Sequence, residues 1–261
     1  LRRLEERGVF IVQPTEGDVA CGENGQGKLA SVPAIIAAVQ EVVGRPHLLK
    51  GQRVLITSGP TQEPIDDVRF ISNRSSGKMG AALARAALVL GAEVSVVSGP
   101  VRVAYPTKAT VVQVATALDM LEAARQLAHD ADLIIGAAAV ADYRMANPVE
   151  GKMRRSSEHL VLELIPNPDI IAELAQAFPS AQVIGFAAEP DPSLDTAREK
   201  IIRKGLRAIA VNDIGRSDIG FEVDYNEITL LWADGRAESS GRRSKLQCAL
   251  WLMTQLVTPL D

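Results

Sequence analysis

From Arg53 onward the chain alternates short apolar runs with stretches of helical periodicity, and this alternation constrains the fold more than any other feature. Repeated strand-then-helix units predict a mostly parallel sheet with helices on both faces. The sequence therefore predicts an α/β, Rossmann-like domain. Strands are expected at residues 54–59, 93–99, 133–140, 182–189 and 207–213, and helices at 79–90, 117–128, 169–177 and 194–204.

The remaining segments depart from this repeat. Residues 152–155 and 160–165 are predicted to form a hairpin projecting from the sheet, and residues 228–232 and 236–240 a second one around an Asp-Gly turn. An amphipathic helix is expected at 244–256. The first 50 residues read as a strand at 9–12, a Gly-rich loop at 21–28 and a helix at 32–43, too little for a core of their own. We therefore expect two parts, residues 1–50 and 51–261.

Composition excludes several classes of protein. Hydrophobic residues make up 47% of the 261 residues, which is typical of a globular chain. Only 4% are aromatic and the formal net charge is −4, which argues against dedicated binding of nucleic acid or of an anionic membrane surface. The longest apolar stretch, residues 133–141, is far shorter than the ~18 residues that span a bilayer. A small anionic ligand held by a local basic cluster remains compatible with this composition.

Two features bear on the compartment and on the extent of the chain. The two cysteines, Cys21 and Cys248, are too few and too far apart for a disulfide framework, so a reducing cytoplasm is the expected location. The chain begins with Leu1, and we expect it to be a fragment of a longer protein.

A long polar segment, SGPTQEPIDDVRFISNRSSGKMG at residues 58–80, joins the first predicted strand to its helix. Backbone N–H groups at a helix start favour phosphate, and Ser75 with its small neighbours allows close approach. Asn73 offers an amide that can orient an oxygen. The segment has neither the Walker A spacing nor GxGxxG. An ordinary loop with a serine-rich helix cap is the alternative.

Further candidate residues lie near the carboxyl ends of later strands, where open α/β sheets bind ligands. In the run AAAVADY, Ala138 and Ala139 leave room for a ligand, and Asp142 is a candidate for ribose hydroxyls or a Mg²⁺ ion. Packing alanines and a loop cap are the alternative. Lys200 and Lys204 share one helix face and could contact adjacent phosphates, although a single lysine of this kind is more often a solvated surface residue. Phe186 could stack on a base or simply belong to the core.

Four linked motifs, SGPTQEPIDDVRFISNRSSGKMG, AAAVADY, NPDI and GFAAE, together with the two helix lysines, resemble the phosphopantothenoylcysteine synthetase family over about residues 50–258. The resemblance implies a CTP-dependent acid–amino-acid ligase of coenzyme A biosynthesis. It would join 4′-phosphopantothenate to L-cysteine through an acyl-cytidylate, releasing pyrophosphate and then CMP. CTP and Mg²⁺ are the implied co-substrate and metal ion, and a homodimer is the implied assembly.

The same resemblance assigns roles to residues. Asn73 and Lys152 would be catalytic donors, although the hairpin motif around Lys152 departs from the family's usual pattern. Asn73, Ala138, Ala139 and Asp142 would contact substrate, with Asp142 also serving as the metal ligand. The expected nucleotide contacts are Ser75, Asp142, Asn167, Asp169, Ile170, Phe186, Lys200 and Lys204.

Residues 20–30, ACGENGQGKLA, resemble the substrate flap of a companion flavin-dependent decarboxylase. In that family the flap cysteine, here Cys21, donates a proton. The FMN-binding core and the histidine base would lie upstream, so residues 1–50 are interpreted as an inert remnant of the decarboxylase and a linker. Two other classes of function stay open. One is a short-chain-dehydrogenase-like oxidoreductase using NAD(P), although TGxxxGxG and Tyr-x-x-x-Lys are missing. The other is a non-catalytic assembly segment of a flavoprotein.

Overall fold

A computed structural model describes residues 4, 9, 11–18, 24–43, 47–154, 159–189, 194–213 and 224–257. Eight of its strands form one sheet, which confirms the predicted α/β, Rossmann-like architecture. The strands are β1 (Thr15–Asp18), β2 (Asn24–Lys28), β3 (Arg53–Ser58), β4 (Gln62–Pro64), β5 (Phe70–Ser72), β6 (Glu93–Ser98), β7 (Thr110–Gln113), β8 (Leu133–Gly136), β9 (Tyr143–Met145), β10 (Leu164–Pro166), β11 (Gln182–Glu189), β12 (Ala208–Asp213), β13 (Tyr225–Asn226), β14 (Thr229–Trp232), β15 (Ala237–Ser239) and β16 (Arg243–Ser244). The helices are α1 (Val32–Val43), α2 (Lys78–Val89), α3 (Ala117–Ala128), α4 (Ile170–Ala177), α5 (Leu194–Lys204) and α6 (Lys245–Val257).

The central sheet has the strand order β15-β14-β12-β11-β8-β3-β6-β7. Its six strands from β12 to β7 are parallel, and β14 and β15 extend it as an antiparallel hairpin. The order reverses direction on either side of β3, which is the arrangement that opens a crevice at the carboxyl ends of parallel strands. The topology therefore points to that edge of the sheet as the place for a ligand.

Both faces of the sheet are covered. Along β3, Val54 and Ile56 pack into one buried cluster with α2 and α6, whereas Leu55 packs into a second cluster with α3, α4 and α5. Burial on two sides explains why these strands are continuous apolar runs rather than alternating ones. Among the described helices, none has the length and apolar character needed to cross a membrane.

The amino-terminal prediction was partly wrong. Helix α1 spans residues 32–43, as predicted. However, the described residues near positions 9–12 form no strand, and part of the expected Gly-rich loop is β2, which pairs antiparallel with β1. Glycine has a low intrinsic preference for strands, and here the antiparallel partner overrides that preference.

The hairpin predicted at 152–165 was also wrong. The described residues on its first arm form no strand, and β10 pairs instead with β9, with Leu164 opposite Met145. The Asp66 carboxylate accepts a hydrogen bond from the Met153 backbone N–H at 3.1 Å. A side chain rather than a neighbouring strand therefore provides the acceptor for this backbone N–H group. The second hairpin, β14–β15, is confirmed, and Gly235 takes a φ of 92° at its turn.

Candidate functional site

A cavity of about 880 Å³ lies at the carboxyl ends of β3, β8, β11 and β12. Nearly all of the site residues predicted from the sequence line this cavity. The lining residues are Thr57, Asn73, Arg74, Ser75, Ser76, Gly77, Lys78, Met79, Gly80, Gly136, Ala137, Ala138, Ala139, Val140, Ala141, Asp142, Asn167, Pro168, Asp169, Ile170, Ile171, Phe186, Ala187, Ala188, Lys200, Lys204, Asn212, Asn226 and Lys245. Its position is the one that open α/β sheets use for ligands.

The start of α2 forms one wall. Gly77 is the residue before the helix, with a φ of 72°, and no side chain caps the helix there. A Cβ added at Gly80 would lie 1.9 Å from the Ser58 Oγ, so the helix reaches this position against β3 only because residue 80 has no side chain. The first turn of the helix thus lines the cavity with Ser75 and Ser76 beside it. Backbone N–H groups at such a helix start favour an anion.

The segment after β8 forms the floor. Its backbone continues alongside the segment after β3, because the Ala137 N–H donates to the Thr57 carbonyl at 3.0 Å and the Ala139 N–H donates to the Gly59 carbonyl at 2.8 Å. The Ala141 N–H donates to the Thr61 Oγ1 at 3.0 Å. These bonds fix Ala138 and Ala139 in the lining, where their methyl groups leave most of the space to a ligand.

Two amide side chains hold this floor in place. The Asn73 Nδ2 donates to the Val140 carbonyl at 2.8 Å, and the Asn167 Nδ2 donates to the Ala141 carbonyl at 2.8 Å. The Asn167 backbone N–H also donates to the Asp142 carbonyl at 2.8 Å. Each amide therefore has one donor occupied in positioning the floor, a role that the sequence analysis did not foresee.

Helices α4 and α5 form a third wall. Asp169 caps the start of α4 by accepting a hydrogen bond from the Ala172 N–H, and the Lys204 Nζ lies 2.9 Å from the Asp169 Oδ2. Lys200 lies one turn earlier on α5 and also lines the cavity. Ile170 adds apolar surface to this wall, whereas Phe186, which also lines the cavity, packs against the α2–α6 cluster on the other face of the sheet. The predicted grouping of the NPDI motif with the two lysines is thus present in space.

A fourth wall, which sequence reasoning missed, comes from the end of the chain. Asn226 and Lys245 line the cavity although they are only 2% and 6% exposed. The pairing of β13 with β16 brings them together, and the Lys245 N–H donates to the Asp224 carbonyl at 3.0 Å. Asn212, near the end of β12, is also buried and lines the same cavity. No motif marked these residues, because a lysine at the start of an amphipathic helix usually faces solvent.

Burial changes the chemistry of this fourth wall. Loss of hydration, reinforced by the positive charge of Lys78, lowers the pKa of Lys245 to about 8. Nearby Cys248 is also buried, and burial raises the pKa of its thiol to about 11. The lysine is thus a cation held in a poorly hydrated place, while the thiol stays protonated.

One predicted site residue, Lys152, is not brought to the cavity. Lys152 is exposed and does not line it; its segment is held instead against the β4–β5 hairpin loop, where the Gly151 N–H donates to Asp67 at 3.1 Å. Although burial opposes it, hydrogen bonds from the Val68, Arg69 and Met153 N–H groups hold the pKa of the Asp66 carboxyl in this loop below its usual value. Cys21 lies outside the described residues.

The predicted metal ligand, Asp142, is not part of a cluster of metal-binding side chains in the described residues. Asp142 lines the cavity and is exposed, and the described residues contain no group of three or more His, Cys, Asp or Glu side chains that could hold a metal ion. A dedicated protein site for a divalent cation needs several oxygen ligands. The described part of the chain therefore offers one carboxylate at this point and not a built metal centre.

Comparison with known proteins identifies the family. A family model described as the DNA/pantothenate metabolism flavoprotein C-terminal domain matches residues 49–260. The coenzyme A biosynthesis bifunctional protein CoaBC of Haemophilus influenzae is 36% identical over 258 residues, which cover 98% of this chain and 64% of that protein. The chain thus spans just under two thirds of the length of this relative.

Solved structures agree on the fold. A crystal structure of the C-terminal domain of a CoaBC protein is 38% identical, with a TM-score of 0.68, and the match covers 81% of this chain and 96% of that one. A Cab2 variant in complex with phosphopantothenate-cysteine is 17% identical, with a TM-score of 0.65 and coverage of 88% and 94%. The second similarity shows the fold alone.

These matches correct the assignment drawn from the motifs. The model that matches is described as a flavoprotein domain, and this description replaces the phosphopantothenoylcysteine synthetase family. The same match overturns the predicted CTP-dependent acid–amino-acid ligase, together with its CTP and Mg²⁺. The alternative of a flavoprotein segment agrees better with the match. Over residues 49–260 the chain belongs to the family of the DNA/pantothenate metabolism flavoprotein C-terminal domain.

Proposed function

We propose that this chain is a ligand-binding domain of a coenzyme A biosynthesis flavoprotein and that its cavity binds phosphopantothenoylcysteine. This compound carries a phosphate at one end, a carboxylate and a thiol at the other, and a hydroxyl group and two amides between them. The ligand class follows the pantothenate metabolism of the family description and the phosphopantothenate-cysteine bound by the Cab2 variant.

The observation that carries the proposal is the placement of cationic groups on two opposite sides of one cavity. Lys200 and Lys204 come from α5, which packs on one face of the sheet. Lys245 comes from α6, which packs on the other face. A cavity that straddles the edge of the sheet in this way is complementary to an elongated ligand with an anion at each end.

The floor between the two cationic sides suits the middle of such a ligand. It is built from Ala138, Ala139 and neighbouring backbone, with the Asn73 and Asn167 amides beside it. Small apolar side chains next to a few oriented polar groups are typical of sites that bind an extended small molecule. The hydroxyl group and the amides of the ligand would find their partners among these backbone and side-chain groups.

The flavoprotein description implies FMN, and the described cavity does not fit its ring system. An isoalloxazine has two broad faces that need apolar walls when they are buried. Phe186 is the single aromatic side chain among the described lining residues, which otherwise consist largely of small, amide and charged side chains. We therefore assign FMN to a decarboxylase part outside residues 49–260.

The proposal is tested by calorimetric titration of the chain with phosphopantothenoylcysteine. Wild-type protein should bind with one site per chain. Ala138→Phe, which fills the floor of the cavity, should weaken binding at least tenfold. Ala104→Phe adds the same ring at an exposed position outside the lining and serves as the matched control. Absence of binding to wild-type protein, or equal binding by both variants, would contradict the proposal.

A homodimer and a cytoplasmic location stay predictions. The dimer is supported by exposed apolar side chains on neighbouring small hairpins, including Phe70 on β5 and Tyr143 on β9. Exposed aromatic side chains of this kind are common where two chains meet. Light scattering coupled to gel filtration tests the assembly, and Phe70→Ser should shift the mass toward the monomer.

A further inference from the structure

The loop between β6 and β7, residues 99–109, lies outside the cavity and packs behind two of its walls. Val101, Val103 and Tyr105 in this loop are partly buried, whereas Arg102 and Ala104 between them are exposed. These five residues are not among the described lining residues. The loop therefore turns alternate side chains toward the domain, and contact with a ligand does not account for them.

One methyl group of this loop fills the space beside two glycines. A Cβ added at Gly77 would lie 2.7 Å from the Val101 Cγ1, and a Cβ added at Gly59 would lie 2.7 Å from the same atom. Both glycines have positive φ, 72° at Gly77 and 74° at Gly59, a conformation that other residues rarely adopt. Val101 therefore packs directly against the backbone of two separate segments.

The two glycines belong to different walls of the cavity. Gly77 lines the cavity and precedes α2, and its carbonyl accepts a hydrogen bond from the Ala81 N–H at 3.0 Å. Gly59 follows β3, and its carbonyl accepts a hydrogen bond from the Ala139 N–H of the floor at 2.8 Å. One side chain outside the cavity thus contacts both the backbone that holds the floor and the backbone that begins the α2 wall.

Hydrogen bonds hold the loop in this position. The Tyr105 hydroxyl donates to the Ser58 Oγ at 2.8 Å and lies 2.8 Å from the Ser98 Oγ. Burial raises the pKa of Tyr105 above its ordinary value, so the phenol stays a neutral donor. The Gly99 N–H also donates to the Ser58 carbonyl at 3.0 Å. Bonds to the ends of β3 and β6 therefore keep Val101 against the two glycines.

We infer that Val101 is a positioning residue of the cavity, whose side chain fixes the distance between the floor and the α2 wall and thereby the affinity for the ligand. The inference rests on the proposed function for the identity of that ligand. A ligand that contacts two walls at once binds tightly only when both are held in place, and a displacement of about 1 Å is enough to weaken it. A residue outside the lining can therefore control affinity.

The first test compares the same truncation at two valines. Phosphopantothenoylcysteine is titrated by calorimetry into wild-type, Val101→Ala and Val111→Ala protein. Val111 on β7 is also partly buried and packs against the α2–α6 cluster, so its truncation is the matched control for lost packing. Val101→Ala should weaken binding about tenfold, and Val111→Ala less than about twofold. Val101→Ile, which keeps both γ carbons, should restore binding to within about threefold.

The second test uses no ligand. Hydrogen exchange followed by NMR compares backbone N–H groups in the same proteins. Val101→Ala should speed exchange about fivefold or more at Ala139 and Ala81, whose acceptors are the two glycine carbonyls, but less than about twofold at Ala137, which has a different acceptor. A general loss of stability would instead speed exchange at all three groups by the same factor. Tyr105→Phe, which releases the loop from β3, should give the same pattern and serves if Val101→Ala does not fold.

A pair of substitutions tests the contact itself. Gly77→Ala introduces a methyl group 2.7 Å from the Val101 Cγ1 and also imposes a strained φ. In a Val101→Ala background the clash is absent and the strain remains, so Gly77→Ala should weaken ligand binding less than it does in wild-type protein. Equal losses in the two backgrounds would overturn the contact as the origin of the positioning.

The first two tests separate this inference from the proposed function. If wild-type protein fails to bind phosphopantothenoylcysteine but Val101→Ala still speeds exchange at Ala139 and Ala81 and not at Ala137, the proposed ligand is wrong and the positioning role stands. If wild-type protein binds the ligand and Val101→Ala binds it as tightly, the positioning role is overturned. It is equally overturned if exchange rises by one factor at all three groups, or if Val111→Ala reproduces both effects.

Discussion

The two cationic sides of the cavity differ in how their charges are held. Lys204 on α5 is partly exposed and lies 2.9 Å from the Asp169 carboxylate, so water and an ion partner satisfy it without a ligand. Lys245 on α6 is almost fully buried, and burial lowers its pKa to about 8. A solvated lysine costs the fold little, whereas a buried one costs stability that a bound anion can offset. The α6 side, where Lys245 is buried, is thus the side that gains more from a bound anion.

Among substitutions on the two sides of the cavity, Gly80→Ala is expected to change the free energy of unfolding most. The new methyl group would lie 1.9 Å from the Ser58 Oγ, so α2 would have to move away from β3, on the α6 side of the cavity and not on the α5 side. Overpacking of this kind typically costs about 1–3 kcal/mol in the free energy of unfolding, and urea denaturation measures it. In a Ser58→Gly background the cost should shrink, because the clashing side chain is absent. An unchanged cost in that background would contradict the close contact.

A change of opposite sign is expected from Lys245→Met. Removing a buried ammonium should raise the free energy of unfolding by about 1–2 kcal/mol at pH 7, which is less than the full shift implies because water and Asp224 screen the charge. Below pH 8 the lysine is charged in both states and the penalty is complete. From about pH 8 to 10.5 the folded protein releases this proton before the unfolded chain does, so wild-type stability rises with pH.

The methionine variant should lack that lysine-dependent rise. Denaturation curves of wild-type and Lys245→Met protein at pH 7, 8, 9 and 10 measure the difference. Equal stability of the two proteins at pH 7, or parallel pH profiles, would show that Lys245 is not destabilised by burial.

Substitutions on the α5 side should change the free energy of unfolding least. Asp169→Ala removes the cap of α4 and the partner of Lys204, and the loss of such a cap costs about 1 kcal/mol. Asp195→Ala, which removes the exposed partner of Arg198 on the same wall of helices, should change stability by less than about 0.5 kcal/mol. Thermal unfolding of both variants gives the comparison. Equal effects would remove the capping role of Asp169.

The sequence predicted the half of the site that local motifs describe. Ser75 and Asp142 come after predicted strands, and topology alone brings the carboxyl ends of parallel strands to one edge. Lys245 could not be found in the same way, because its burial depends on α6 packing against α2, and β13–β16 pairing brings Asn226 to it across the chain. Periodicity describes neighbours on one element and carries no information about such distant contacts.

The errors have a similar origin. Lys152 was expected at the site on a hairpin, yet the Asp66 carboxylate holds its segment elsewhere through the Met153 N–H. The run after β8 was predicted to remain a strand to residue 140, but the strand ends at Gly136, and the side chains of Asn73 and Asn167 hold the backbone at residues 140 and 141. In each case a polar side chain, distant in sequence, decided the course of the backbone.

The central claim is that two cationic sides of one cavity hold the two ends of a pantothenate derivative with an anionic group at each end. It is tested most directly by the affinity of wild-type protein for three related ligands. These are phosphopantothenoylcysteine, pantothenoylcysteine without the phosphate, and phosphopantetheine without the carboxylate. Calorimetry should show that removing either anion weakens binding at least tenfold, with the larger loss for the phosphate. Equal affinity for all three ligands would contradict the account.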